Sequence, residues 1–145
     1  MYRFSDFASV RALPNVLSVT ELSEAIGLSI PSTHALLKQE KIPHLIVARR
    51  KIIFKEHLLQ GLSKERVFTD VAKLKALADL PDVFPPNRLQ AALGISHGFA
   101  YSLSKTPGFP ATSFRNRIVV SKQGLIVWIR QNEVYMKGST IWQNQ

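Results

Sequence analysis

Few residues of this chain have the spacing that catalysis needs. Its four histidines show no metal-ligand spacing; they are His34, His44, His57 and His97. The chain has no cysteine, which excludes disulfides, thiolate metal sites and cysteine nucleophiles. No serine lies in a nucleophile elbow, and the spacing of Gly94 and Gly98 is too weak a pattern for a phosphate loop. These observations predict a protein that is not an enzyme and that needs neither cofactor nor metal. His44 and His57 are interpreted as plain surface or edge residues.

Basic side chains are the most distinctive polar groups. The 145 residues include 19 Lys and Arg against 10 Asp and Glu, a formal net charge of +9. The densest basic clusters are Arg49-Arg50-Lys51 and Arg115 with Arg117. Such a balance favours a polyanionic partner, because each contacted phosphate releases condensed counterions. No apolar run is long enough to cross a bilayer, and the first residues lack the apolar core of a signal peptide. A cytoplasmic protein with no membrane contact is therefore expected.

The sequence repeats itself across most of its length. Phe4–Ala8 recurs as Phe68–Ala72 after 64 positions, and Leu13–Leu17 recurs as Leu80–Phe84 after 67 positions. Residues shared at the second offset are Leu22 and Leu89, Ala25 and Ala92, Gly27 and Gly94, Ser29 and Ser96, Leu36 and Leu103, Lys38 and Lys105, and Pro43 and Pro110. Beyond one deletion, Lys51–Ile53 is aligned with Arg117–Val119. The predicted units are residues 1–62 and 63–132, followed by a tail of residues 133–145.

Each copy has the same predicted order of elements: two helices, a turn with Gly, a third helix, a β-hairpin and a closing helix. The first copy begins with a helix from about Asp6 to Ala12 and a helix with Thr20 as its N-cap that ends at Gly27. A helix with Ser29 as its N-cap follows and continues to about Glu40. The hairpin is assigned to Leu45–Val47 and Lys51–Phe54, and the closing helix runs from Lys55 to about Leu62. The second copy is assigned as a helix from Thr69, its N-cap, to Asp79, then Asn87–Leu93, His97–Lys105, a hairpin of Thr112–Phe114 and Arg117–Val120, and a helix from Ser121 to about Gln131.

This order of elements resembles the excisionase and MerR class of winged helix-turn-helix domains. The duplicated architecture also resembles small DNA-binding regulators of Gram-positive conjugative plasmids, of the TraN type. The resemblance departs at the wing tips, where Ala48 and Phe114 stand in place of the usual Gly, and at Gln90, which is large for a helix crossing. The fold expected is mainly α with small β-hairpin wings, in which two winged helix-turn-helix units form an internal pseudo-dimer.

The predicted DNA contacts lie on the third helix and on the wing of each copy. A recognition helix offers its N-terminal residues to base edges in the major groove. The contacts predicted for the two helices are Ser32, Thr33, His34, Lys38, His97, Tyr101, Ser102 and Lys105. Lys38 and Lys105 are expected to touch phosphate. The wing contacts expected in phosphate or minor-groove positions are Arg49, Arg50, Lys51, Arg115 and Arg117.

These residues predict a sequence-specific protein that binds double-stranded DNA as a monomer acting as an internal dimer. Repression of transcription on a mobile element, such as a conjugative transfer operon, is ranked first, because a duplicated reader suits one compact site. An excisionase-like factor that bends DNA is the second interpretation. A protein-interaction module without DNA binding is the third, for which Tyr135, Met136 and Trp142 in the tail would supply the contacts.

Overall fold

The computed structural model describes residues 13–65 and 67–135, and these form two compact units. The first unit comprises the described residues up to Thr69 together with Glu133–Tyr135, and the second comprises Asp70–Asn132. Along the chain, the second unit is therefore inserted into the first. The architecture is mixed α/β, with two small antiparallel sheets. The predicted helix from Asp6 to Ala12 lies outside the described residues. None of the helices described is long and apolar enough to cross a membrane.

The first unit is a four-stranded sheet with three helices among its described residues. Its elements are β1 (Val16–Ser18), α1 (Val19–Ile26), α2 (Ile30–Gln39), β2 (His44–Val47), β3 (Arg50–Phe54), α3 (Lys55–Leu62) and the late strand Glu133–Val134, numbered β7. The strand order is β1-β3-β2-β7, and each neighbouring pair is antiparallel. The predicted hairpin is present as β2 and β3, and β1 and β7 extend it on both sides.

Local signals set the limits of α1 and α2. Ser18, not the predicted Thr20, is the N-cap of α1: its hydroxyl accepts from the Glu21 N–H, and the Glu21 carboxylate accepts from the Ser18 N–H. This reciprocal capping box satisfies two amides at once, so it starts the helix two residues earlier. Gly27 ends the helix at φ 73°, in the left-handed region that glycine adopts without a steric cost. The predicted N-cap of α2, Ser29, is confirmed, because its hydroxyl accepts from the Ser32 N–H.

Apolar side chains from every layer of the first unit meet in one core. Leu17 of β1, Leu22 of α1, Leu37 of α2, Ile53 of β3 and Leu58 of α3 are all at most 1% exposed. Their burial holds α2 and the hairpin against the same core. The residues of α2 that are buried in this core therefore determine which of its residues are exposed.

The second unit is a three-stranded sheet with four α-helices and two 3₁₀ turns among its described residues. Its elements are a 3₁₀ turn (Val71–Lys73), α4 (Lys75–Ala78), β4 (Val83–Phe84), a 3₁₀ turn (Pro86–Arg88), α5 (Leu89–Leu93), α6 (His97–Ser104), β5 (Ala111–Phe114), β6 (Arg117–Ser121) and α7 (Lys122–Asn132). The strand order is β4-β6-β5, and both pairings are antiparallel.

The single helix predicted from Thr69 to Asp79 is wrong. Asp70, not Thr69, caps a 3₁₀ turn, and Leu74 is extended at ψ 139° before α4 begins. Val71, Leu74 and Leu77 are each 0% exposed. In a straight α-helix, side chains at successive intervals of three residues point in progressively different directions, because a full turn needs 3.6 residues. The break at Leu74 lets all three side chains be buried.

The offset of 67 positions is constant through the two units. Strand β3 begins at Arg50 and β6 at Arg117; α3 begins at Lys55 and α7 at Lys122. The Lys55 N–H donates to Asn15 O and the Lys122 N–H to Asp82 O, both at 2.9 Å. The deletion inferred from sequence is therefore wrong. Arg50, and not Lys51, is the counterpart of Arg117, since both residues start the strand after the hairpin turn.

Candidate nucleic-acid interface

Helix α2 has an exposed face that begins with the apolar Ile30 and Pro31 after the N-cap and continues with more polar residues. Ser32, Ala35 and Lys38 are exposed, and His34 is half-buried. Thr33 is 0% exposed, and its hydroxyl donates to Ser29 O at 2.9 Å. The prediction that Thr33 contacts a partner is therefore wrong, because its side chain belongs to the core side of the helix. The other predicted residues of α2 remain accessible.

A groove of about 430 Å³ lies beside this face in the first unit. Its lining residues are His34, Ala35, Lys38, His44, Ile46, Lys51, Val134 and Tyr135. The structure thus brings three predicted contact residues, His34, Lys38 and Lys51, to one concave surface. Burial and the nearby charge of Lys51 lower the pKa of His34. Its imidazole is therefore neutral at neutral pH, when one ring nitrogen donates and the other accepts hydrogen bonds.

Helix α6 is the equivalent element of the second unit. Gly94 precedes it at φ 65°, and the Ser96 hydroxyl accepts from the Phe99 N–H at 3.1 Å. The four predicted residues His97, Tyr101, Ser102 and Lys105 are all exposed. The Lys105 ammonium lies 4.3 Å from the centroid of the Tyr101 ring. This cation–π contact holds a positive charge at the end of the helix, next to an aromatic face.

Gln90 is accommodated at the crossing of α5 and α6 because its side chain is only partly buried. Its Nε2 donates to His97 Nδ1 at 3.4 Å, at the first residue of α6. The counterpart in the first unit is Ser23, which is 6% exposed and donates to Thr20 O. The two crossings therefore differ, and in the second unit the polar residue orients a predicted contact histidine.

The two hairpins turn in the same way and carry basic residues at their tips. Ala48 and Arg49 have φ values of 47° and 69°, and Arg115 and Asn116 have 51° and 66°. Positive φ at both central residues is typical of the type I′ turn, whose twist matches that of the flanking strands. Arg49, Arg50, Arg115 and Arg117 are all exposed. The predicted wing residues therefore stand at or next to the turns. The expectation that Phe114 takes the place of the tip Gly is wrong, because Phe114 ends its strand and Arg115 and Asn116 form the left-handed turn.

His44 and His57 are buried, so their interpretation as surface or edge residues is wrong. His44 is 3% exposed, its Nδ1 donates to Ile42 O at 2.9 Å, and its ring meets Tyr135 edge to face. Burial lowers the pKa of His44, and Lys51 adds to the effect, although the bond to Ile42 opposes it. A neutral His44 is thus part of the groove wall.

His57 is fully buried beside Thr69 and Glu133, the residues at which the chain leaves the first unit and re-enters it. Its Nε2 donates to Thr69 O at 2.8 Å, and its Nδ1 lies 3.4 Å from Oε2 of Glu133, which is 2% exposed. Burial opposes protonation of the ring, but Glu133, the Thr69 carbonyl and Glu56 together outweigh it and raise the pKa of His57. This ion pair holds the residues at which the chain leaves and re-enters the unit.

Sequence reasoning missed His44 and Tyr135 as parts of the groove. Tyr135 follows β7, whose pairing with β2 joins positions far apart in the chain, and no local pattern signals that contact. No cluster of three or more potential metal ligands occurs within residues 13–65 and 67–135. Comparison of the chain with protein-family models, with curated proteins and with solved structures finds no match.

Proposed function

We propose that this chain binds double-stranded DNA through two winged helix-turn-helix units that act as an internal pseudo-dimer. The observation that carries the proposal is a combination that occurs twice at one offset. In each unit a left-handed Gly and a Ser N-cap precede a helix with an exposed polar face, and a basic type I′ hairpin follows it. A helix of this kind fits the major groove, and a basic hairpin reaches phosphates or the adjacent minor groove.

The residues divide into base-reading and phosphate-binding sets. Ser32 and His34 of α2, and His97, Tyr101 and Ser102 of α6, offer donors, acceptors and an aromatic edge at helical positions where bases are read. Lys38 and Lys105 lie near the helix ends and hold phosphate, which positions the protein without specifying sequence. The exposed arginines of the hairpins, with Lys51, add phosphate contacts. The net charge of +9 supports binding to a polyanion.

The role that we propose for this binding is repression of transcription on a mobile element. A chain that carries two reading helices covers a compact site without a second subunit. Because the two helices differ in sequence, the preferred site is asymmetric. Selection of bound duplexes from a random pool, followed by footprinting, tests this: one footprint over a promoter supports repression, whereas several footprints beside a recombination site support an excisionase-like role.

The first test of DNA binding is a titration with random-sequence duplex over a range of salt concentrations. Binding should weaken steeply with salt, and each lost phosphate contact should reduce the slope of log K against log salt by about 0.9. Arg49→Ala and Arg115→Ala should each show this reduction. Lys73→Ala, which removes an exposed charge outside both candidate surfaces, is the matched control. Absence of salt-dependent binding would contradict the proposal and favour a protein-interaction module.

A further inference from the structure

One side chain of the second hairpin departs from its counterpart in the first. Val47 is the last residue of β2, pairs with Arg50 across the turn, and is 6% exposed. Phe114 is the last residue of β5, pairs with Arg117 across the equivalent turn, and is 64% exposed. The two residues occupy the same register position but differ in burial. Val47 packs into the core of its unit, whereas the Phe114 ring is largely exposed.

The surroundings of Phe114 are polar, basic and open. Thr112, Ser113 and Asn116 are exposed, as are Arg115 and Arg117. The Arg115 guanidinium lies 5.2 Å from the centroid of the Phe114 ring. A large apolar ring at a hairpin tip, flanked by two cations, is complementary to a partner that combines apolar stacked surfaces with regularly spaced negative charges. Duplex DNA has this combination, since its bases stack between two phosphate backbones.

We infer that Phe114 is a wedge that enters a base step of the minor groove and kinks the duplex, an inference that rests on the proposed DNA binding. Minor-groove proteins insert apolar side chains in this way and bend DNA by about 20–90°. Arg115 and Arg117 bind phosphates beside the opened step and hold the ring in place. The first hairpin has no such wedge, because Val47 is buried. The bend is therefore made by the second unit alone.

The experiment uses the full chain and a duplex selected from the random pool, labelled at its two ends for energy transfer and carrying 2-aminopurine at successive minor-groove steps. The wild-type protein should bring the ends closer and raise the fluorescence at one step. Phe114→Ala should abolish both signals and weaken binding about tenfold, or about 1.4 kcal/mol. Its salt dependence should stay unchanged, because a phenyl ring contacts no phosphate. Phe114→Leu should retain part of both signals.

The matched control is Val83→Ala, which removes an apolar side chain that is 61% exposed on β4 of the same sheet. It should change neither the bend nor the affinity. If the wild-type protein and the Phe114→Ala variant bind the duplex with the same bend and the same base stacking, the wedge proposal is overturned while the DNA-binding proposal stands. A wild-type protein that does not bind duplex overturns both proposals. A change in the oligomeric state of the free protein on Phe114→Ala also overturns the wedge, since the ring would then belong to a protein contact.

Discussion

The last helix of each unit packs on its hairpin with bulky and small residues in opposite order. In the first unit, α3 carries buried His57 one turn before Gly61, and an added Cβ at Gly61 would lie 2.6 Å from Cγ1 of Ile42. In the second unit the order is reversed: Gly124 comes first and Trp128 stands at the counterpart of Gly61. The reversal shows that the two units share topology but not packing.

Residues facing the last helices change to match. Ile42 is replaced at the same offset by Phe109, whose ring meets Trp128 edge to face with centroids 4.9 Å apart. An added Cβ at Gly124 would lie 2.5 Å from Cβ of Pro110. Gly124, the counterpart of His57, therefore has no room for a side chain, because Pro110 lies against its Cα. A duplicated fold tolerates this exchange because core volume, not residue identity, is what must be kept.

A second contrast is the outer edge of each sheet. In the first unit β7 covers β2, and the pair His57–Glu133 anchors that strand. In the second unit β5 has no strand on its outer side among the described residues, and Thr112, Ser113 and Phe114 are exposed. The first hairpin is thus locked into its unit, while the second projects a freer surface. This difference agrees with the proposal that the second hairpin, and not the first, deforms DNA.

The largest effect should come from breaking the anchor of β7. The pKa of His57 is raised in the folded protein, so protonated His57 stabilises the fold. This contribution is fully present below the unfolded pKa of about 6.5 and is lost as pH rises through the higher folded pKa. Glu133→Gln should lower the free energy of unfolding by about 3 kcal/mol near pH 6, because the buried imidazolium loses its counter-ion and must stay unpaired or give up its proton. The loss should shrink at alkaline pH. Urea unfolding at several pH values measures the change in the free energy of unfolding, and hydrogen exchange of the β2 amides shows whether the loss is local to that strand.

The matched control in the second unit is Asp70→Asn. Asp70 and Arg130 pair at 2.8 Å, but their side chains are 47% and 43% exposed. Burial opposes ionisation of Asp70, but its bonds to Arg130 outweigh this and lower its pKa, so its contribution is lost only as pH falls through the acid range. Asn retains the capping oxygen, and the cost near pH 6 should stay below about 1 kcal/mol. Equal losses for Glu133→Gln at pH 6 and pH 9 would show that His57 is not charged.

A smaller effect should follow from disturbing the reversed packing. Gly61→Ala should destabilise the first unit by about 1–3 kcal/mol, because Ile42 is fully buried and has little room to move. Gly98→Ala, on the exposed side of α6 with nothing within 4 Å of the added Cβ, should stabilise by up to about 1 kcal/mol through helix propensity. Thermal unfolding measures both. A stabilising Gly61→Ala would mean that the junction in the first unit is loosely packed.

Sequence reasoning succeeded where signals are local. Gly27 and Gly94 mark helix ends because only the backbone conformation of one residue decides this, and Ser29 reveals an N-cap within three residues. The β-branched runs around Arg49 and Arg115 indicate hairpins for the same reason. These features place α2, α6 and the exposed residues Lys38 and Lys105 correctly.

Sequence reasoning failed where a side chain's fate depends on distant partners. The error at Thr33 is of another kind, because Thr33 lies three and four residues before the buried Leu36 and Leu37, and helical spacing already places it on the core side of α2. His57 needs Glu133, which lies beyond the whole second unit in the chain. Phe114 occupies a strand position, where a large apolar side chain is usually half-buried, and only the folded unit shows that it is exposed.

The smallest effect concerns the start of the helix before each turn, where the units again differ. Glu21 completes the capping box of α1, whereas its counterpart at the same offset is Arg88, which precedes α5 with no side-chain cap. Glu21→Ala should cost about 0.5–1 kcal/mol, since one amide loses its partner and the helix dipole loses a favourable charge. Arg88→Ala should cost nothing and can gain about 0.3 kcal/mol, because a cation at a helix N-terminus is unfavourable. Raising the salt concentration in urea titrations should reduce both changes. If the two variants lose the same free energy of unfolding, Arg88 contributes packing at the start of α5. The difference in capping would then not determine the stability of these helices.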